Sequence, residues 1–288
     1  NKKVRRDYVF SLLSDIHVTN TAPLKLWNVL KEKIKESNPD YIFLPGDIVY
    51  TSDDFLDYDN SEILLKLLYD LNNIAPTYIS LGNHEFKSGK KSNSSYSVNF
   101  LKTIYDKTGA TILDSRLEKQ TVDLGDITVS GFSPRVEAYY KINYEDWVSM
   151  FVEDYNNANL VFSDNKYNIL LTHSPDLISN IEVLKELRSK LANIDLILTG
   201  HRHDGYIPKW LQHMIFKKTD LGIDVSDGER KRDYIISVVD KCRGVHSVEN
   251  SNMIVTRGVR KFAHDNLLFN MLDRVSSKDI ATIKLKKH

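Results

Sequence analysis

Residues 77–85 read Thr77-Tyr78-Ile79-Ser80-Leu81-Gly82-Asn83-His84-Glu85. Threonine, tyrosine and isoleucine favour the pleated strand surface, and the run predicts a short strand over Thr77–Leu81 that Gly82 stops. Beyond the stop come an amide, an imidazole and a carboxylate in direct succession. Moving outward along the chain, the same arrangement recurs four more times. Tyr8–Ser14 ends at Asp15-Ile16-His17, and Tyr41–Leu44 ends at Gly46-Asp47. Tyr167–Leu171 ends at Thr172-His173, and Ile194–Leu198 ends at Gly200-His201-Arg202-His203. Ligand-binding groups of α/β folds collect at the carboxyl ends of strands, on loops held by rigid elements. Glycines beside them let the backbone approach a ligand closely.

Helical patterns separate these strands. Leu24–Ile34 carries apolar residues at 24, 26, 27, 30 and 34 and is followed by Asn38-Pro39. Ile63–Leu71, Val98–Tyr105 (with Gly109 as its stop), Tyr144–Tyr155 and Asp176–Leu191 read as further helices. The middle of the chain is β-rich: Thr111–Leu113, Thr121–Leu124 and Ile127–Gly131 read as strands, with Gly125-Asp126 as a turn. Strands alternating with helices predict a layered α/β architecture with two sheets and helices outside. No repeat, low-complexity tract or long linker divides the sequence, so residues 1–288 are read as a single domain.

Composition narrows the chemistry. The chain has 288 residues with 39 basic and 39 acidic side chains, a formal net charge of zero. Wrapping long nucleic acid needs a basic excess, so no long nucleic acid is expected as partner. The single cysteine, Cys242, excludes a disulfide framework and a cysteine-rich zinc site. Oxygen and imidazole donors are left, and these suit borderline divalent ions such as manganese, iron, zinc or cobalt. Of the nine histidines, His17, His84, His173, His201 and His203 fall in the strand-end clusters. His213, His246, His264 and His288 lie outside every cluster and are read as surface or packing residues.

Each cluster alone is an ordinary turn or surface feature, but the five in this order are not. Together they resemble the calcineurin-like metallophosphoesterase superfamily, of the bacterial predicted-phosphohydrolase type, whose pattern is D-X-H, G-D, G-N-H-E, H and G-H-X-H. The resemblance spans Asp15 to His203. It implies a four-layer αββα sandwich, two mixed sheets flanked by helices, with a dinuclear metal centre at the sheet ends. Carried over, one ion is held by Asp15, His17, Asp47 and His203, and the other by Asp47, Asn83, His173 and His201. Asp47 is the shared bridge, and manganese is the first expectation for the pair of divalent ions. His84 is implied to face the substrate and to stabilise phosphoryl charge or protonate the leaving oxygen. Asp47, Asn83 and His84 are thus the residues expected at the chemistry, while Glu85 is expected to fix its loop. The implied activity is phosphate-ester hydrolysis by a hydroxide shared between the ions. The substrate is expected to be a phosphodiester or a small or lipid-linked phosphate. A phosphomonoesterase or nucleotidase is the alternative, and a non-catalytic metal-binding interaction module is the rival of a different class.

The sequence departs from the family pattern in places. Tyr50 stands where many relatives carry an acidic residue, with Asp53 and Asp54 just beyond, and Arg202 stands between the last two histidines. After the last motif, Met253–Thr256 is the best candidate for a return to the sheet, although Tyr234–Val239 is strand-like as well. This leaves residues 207–249 as an inserted lid or cap-like segment. Its start has apolar residues at 207, 210, 211, 214 and 215 beside lysines. That stripe reads either as a helix packed on the domain or as a membrane-surface helix selecting an amphiphilic phosphate. Ile280–Leu285 is expected to close a sheet. No run reaches the 18 apolar residues of a membrane span. The basic opening, Asn1 to Arg6, reads as a solvated terminus or as the residue of a removed anchor. The expected location is therefore cytoplasmic or membrane-associated.

Overall fold

The structure is a computed structural model. It describes residues 4–19, 24–51, 61–86, 102–103, 105–117, 119–139, 144–175, 178, 189, 191–202, 243–259 and 280–287. In chain order the elements are β1 (Tyr8–Leu12), α1 (Leu24–Ser37), β2 (Tyr41–Pro45), α2 (Glu62–Ile74), β3 (Thr77–Ser80), β4 (Thr111–Ile112), β5 (Thr121–Asp123) and β6 (Ile127–Phe132). They continue with α3 (Tyr144–Asn157), β7 (Tyr167–Thr172), β8 (Leu196–Thr199), β9 (Gly244–Val248), β10 (Ser251–Val255) and β11 (Ala281–Leu285). A 3-10 turn, Val136–Tyr139, follows β6.

Two mixed sheets result, with strand orders β11-β1-β2-β3-β4 and β5-β6-β7-β8-β10-β9. In the first, β1 to β4 run parallel and β11 joins β1 antiparallel. In the second, β6, β7, β8 and β10 run parallel, and β5 and β9 close the edges antiparallel. The central strands are buried on both faces and accordingly read as continuous apolar runs rather than as alternations.

Three cores separate four layers. Between the sheets, Phe10, Leu12 and Phe43 meet Ile127, Val129, Ile169, Leu171 and Leu198. On the outer face of the first sheet, Trp27, Leu30 and Ile34 of α1 and Leu64, Leu67, Leu68 and Leu71 of α2 cover Ile42, Leu44 and Ile79. On the outer face of the second, Phe151 and Tyr155 of α3 cover Leu170, Ile197 and Met253. Each such side chain contributes about 1.5–3 kcal/mol on burial. The αββα sandwich expected from the sequence is therefore present.

Most elements fall where the sequence places them, with ends shifted by a few residues. α1 runs on to Ser37, and Asn38, with φ 46°, is the left-handed residue that ends it before Pro39. The helix expected to end at Tyr105 continues through residue 108, and Gly109 terminates it at φ 78°. The return to the sheet expected at Met253–Thr256 is β10, which pairs parallel with β8, and residues 244–248, at the end of the segment 207–249, form β9 on its outer edge. The alternation in β9 is masked because its pattern is largely exposed, as an edge strand permits. Residues 207–218, Tyr234–Val239, most of 176–191, Asp53, Asp54 and His203 lie outside the described residues. Among the described residues no helix is long and apolar enough to cross a membrane.

Candidate metal centre

β1, β2 and β3 are parallel neighbours in one sheet, and β7 and β8 are parallel neighbours in the other. Their carboxyl ends therefore lie on one edge of the sandwich, and the residues following them converge. Asp15 and His17 follow β1, Asp47 follows β2, and Asn83 and His84 follow β3. His173 follows β7 and His201 follows β8.

The loops after β1 and β2 run side by side before reaching the site. Asp15 N–H donates to the Gly46 carbonyl at 3.2 Å, His17 N–H to Asp47 at 3.0 Å, and Val18 N–H to Ile48 at 2.7 Å. This pairing turns the backbone sharply. Asp15 (φ 51°), His17 (48°), Asp47 (53°) and His201 (71°) are four of the seven non-glycine residues with left-handed φ among the described residues. Such conformations cost of order 1–3 kcal/mol each and persist only when the surroundings over-determine them. Strain is thus concentrated where the polar side chains meet.

Asp47 is the hub. Its Oδ2 lies 3.0 Å from His173 Nε2, 3.9 Å from His84 Nε2 and 4.0 Å from His17 Nε2. Two groups of donor atoms, each mutually within 4.8 Å, come together there: His17, Asp47 and His84, and Asp47, His173 and His201. Asp47 is common to both. His201 Nδ1 approaches His173 Nε2 at 3.1 Å, and Asp15 Oδ1 lies 3.9 Å from the same nitrogen.

Two of the histidines are oriented from behind by carbonyls. A carbonyl only accepts, so His173 Nδ1 carries the proton that it donates to Pro45 O at 2.7 Å. His84 likewise donates from Nδ1 to the Tyr50 carbonyl. In both residues Nε2 is left facing Asp47. The Tyr50 ring sits 5.4 Å from that of His84 and 6.1 Å, edge-on, from that of His17. Tyr50 therefore contributes a carbonyl and an aromatic wall to the site.

Electrostatics follow from this crowding. Burial opposes ionising Asp47, but the positive field of His173 and His84 holds its carboxyl well below the usual range. Burial likewise opposes charging His173, yet Asp47 and its hydrogen bond push the imidazole up to about 10. A buried carboxylate that holds a proton on a facing imidazole is a site where a cation can replace that proton.

Glu85 ties the loops together from below. Fully buried, its carboxylate accepts the N–H groups of Gly82 (2.7 Å), Asp47 (3.0 Å), Ile48 (2.7 Å) and Val49 (3.4 Å). Burial and the nearby Asp47 charge raise its carboxyl above the ordinary value, against the pull of these N–H donors.

The residues present fit a pair of divalent ions on three observations. The buried Asn83 Oδ1 has no hydrogen-bond partner, as an amide oxygen aimed at a cation would. A Cβ added at Gly82 would overlap Asp47 Oδ1 and stand 2.8 Å from His173 Cδ2. Glycine there keeps the space between donors open. The donors themselves are carboxylate, amide and imidazole, with the imidazoles fixed by outer hydrogen bonds of the kind that orient metal ligands. Of the sequence-predicted set, Asp15, His17, Asp47, His84, His173 and His201 are brought together, and Asn83 lies between Gly82 and His84 on the same loop. His203 lies outside the described residues.

Ser14, Thr256 and Tyr139 also belong to the site and were not singled out from the sequence. The Tyr139 ring stands edge-on to His201 at 5.3 Å and 6.1 Å from His173. It follows β6, another strand of the same parallel set, which is the signal that would have found it.

The family model for calcineurin-like phosphoesterase matches residues 9–205. The chain belongs to that family, which is one of metal-dependent phosphoester hydrolases. An uncharacterised metallophosphoesterase of Helicobacter pylori strain J99 is 29% identical over 208 residues, 71% of this chain and 47% of that protein. One of Bacillus subtilis is 27% identical over 194 residues, 67% of this chain and 57% of that protein. The chain thus spans about half the length of the curated relatives it matches. A dimetal phosphatase from Danio rerio superimposes with a TM-score of 0.43 at 12% identity, covering 87% of each chain.

Proposed function

We propose that the chain hydrolyses phosphate esters with a dinuclear divalent metal centre whose two halves share Asp47. The observation that carries this reading is the position of Asp47 in both donor groups, His17–Asp47–His84 and Asp47–His173–His201. A carboxylate with two oxygens suits a shared position. In this assignment Asp15, His17 and His203 complete one half, and Asn83, His173 and His201 complete the other. Bound ions would supply charge to neutralise a phosphoryl group and would acidify water to a nucleophile at neutral pH.

The remaining steps fall to side chains. Asp47 is held ionised, so it needs no deprotonation before it binds a cation. His84, with Nδ1 committed to Tyr50, presents Nε2 to the centre; protonated there, it can stabilise phosphoryl oxygens or donate to the leaving oxygen. Tyr139 and Tyr50 wall the site and limit water. The substrate class taken forward is a phosphodiester, or a small or lipid-linked phosphate, with phosphomonoesters as the alternative.

Turnover of bis-p-nitrophenyl phosphate and p-nitrophenyl phosphate, with added manganese and with chelator, tests the reading. Manganese-dependent cleavage of at least one, abolished by chelator, is expected. No cleavage of either, with no bound metal by elemental analysis, would overturn the enzyme reading.

A further inference from the structure

Asp15 sits at the end of β1, and its Oδ2 accepts two donors: the Ser14 hydroxyl and the backbone N–H of His201 at 3.0 Å. Those bonds leave Oδ1 turned toward His173. Ser14 is fully buried, and its Oγ also lies 2.5 Å from Thr256 Oγ1, at the carboxyl end of β10 in the other sheet. A hydroxyl has one proton. A carboxylate only accepts, so Ser14 spends its proton on Asp15, and Thr256 must donate to Ser14. The protons therefore point one way, from Thr256 to Ser14 to Asp15. Thr256 Oγ1 has a second acceptor within reach, the Thr199 carbonyl, but at 3.4 Å it is the weaker one.

The surroundings fix this chain of hydroxyls on every side. Thr256 N–H donates to Thr199 O at 3.0 Å, and Val259 N–H donates to Ser14 O at 3.0 Å, so the backbone after β10 is bonded to both sheets. A Cβ added at Gly200 would overlap Ser14 Oγ and stand 2.5 Å from Asp15 Oδ2. The glycine of the last motif thus makes room for the relay and not only for an ion.

We infer that Thr256 is a positioning residue for the metal centre: through Ser14 it orients the Asp15 carboxylate, so that the second sheet sets the affinity of a site whose ligand belongs to the first. The inference rests on the dinuclear reading of the same residues. Outer hydrogen-bond partners of metal ligands typically change affinity by about 10–100-fold when removed.

The test uses Thr256→Val, which keeps the shape and loses the hydroxyl, and Thr256→Ser, which keeps the hydroxyl. Manganese affinity of the metal-free protein is measured by titration calorimetry, and the absorption spectrum of the cobalt-loaded protein reports ligand geometry. The valine variant should bind one ion about 10-fold or more weakly, with an altered cobalt spectrum, while serine restores both. Wild-type affinity and spectrum in the valine variant would overturn the inference, and so would equal weakening in both variants, which would assign the loss to packing. If the valine variant does not fold, Ser14→Ala takes its place under the same criteria, with a metal-free melting temperature near wild type as the control. Wild-type protein that binds no metal would instead remove the dinuclear reading itself.

Discussion

Glu85 holds Asp47 by its backbone: the Glu85 carboxylate accepts the Asp47 N–H at 3.0 Å, and the same oxygen accepts Gly82 N–H at 2.7 Å. One buried side chain therefore fixes the loop after β2 against the loop after β3, and with it the separation between Asp47 and His84. The motif's terminal glutamate is a clamp behind the site, as its predicted loop-fixing role requires.

Glu85→Gln tests the clamp. The amide has one accepting oxygen, and its NH2 would face backbone donors that it cannot satisfy. Leaving such groups unpaired costs about 1–3 kcal/mol. A lower melting temperature and weaker manganese binding are expected together, read by thermal unfolding and calorimetry. Unchanged values for both would show that the four N–H bonds are dispensable.

His84→Ala separates a substrate-facing group from a ligand. His84 Nε2 approaches Asp47 Oδ2 no closer than 3.9 Å, and its Nδ1 is spent on the Tyr50 carbonyl. The variant should keep two ions and lose rate by about 10²–10⁴-fold. Loss of an ion would make His84 a ligand instead.

The metal-free protein should show a distinctive pH response. The folded-state value of His173 is raised to about 10 from 6.5, chiefly because Asp47 overcomes the effect of burial. A raised histidine contributes stability that is fully present below 6.5 and is lost as pH rises through about 10. Melting temperature of the chelated protein should therefore fall between these limits, and His173→Gln should flatten the fall. Binding of an ion should release protons across the same range, seen as a calorimetric heat that depends on buffer. A flat profile in both measurements would contradict the charged His173–Asp47 pair.

Much of this molecule is legible in the sequence because its site and its fold share a signal. A buried parallel strand is an apolar run, and the polar residues that stop it are the ones that converge. Asp15, Asp47, Asn83 and His173 could each be found this way. What the sequence hides is what lies across the fold. The anchors of His84 and His173 are the carbonyls of Tyr50 and Pro45, and a carbonyl has no residue type. Ser14 and Thr256 are 242 positions apart and meet only because β1 and β10 end on the same edge. The left-handed φ of Asp15, His17, Asp47 and His201 is uncommon for non-glycine residues, and although aspartate and histidine adopt it more readily than most, residue type alone does not mark these positions. β9 is hidden because, as an edge strand with mostly exposed positions, it lacks the apolar run of the central strands.

The central claim is that one carboxylate serves two ions. Elemental analysis of manganese-loaded wild-type protein and of Asp47→Ala, after exhaustive removal of free metal, tests it most directly. The account predicts two ions per chain in the wild type and none in the variant. A variant that retains one ion at full occupancy would contradict the shared role of Asp47, and a wild-type chain without metal would contradict the centre altogether.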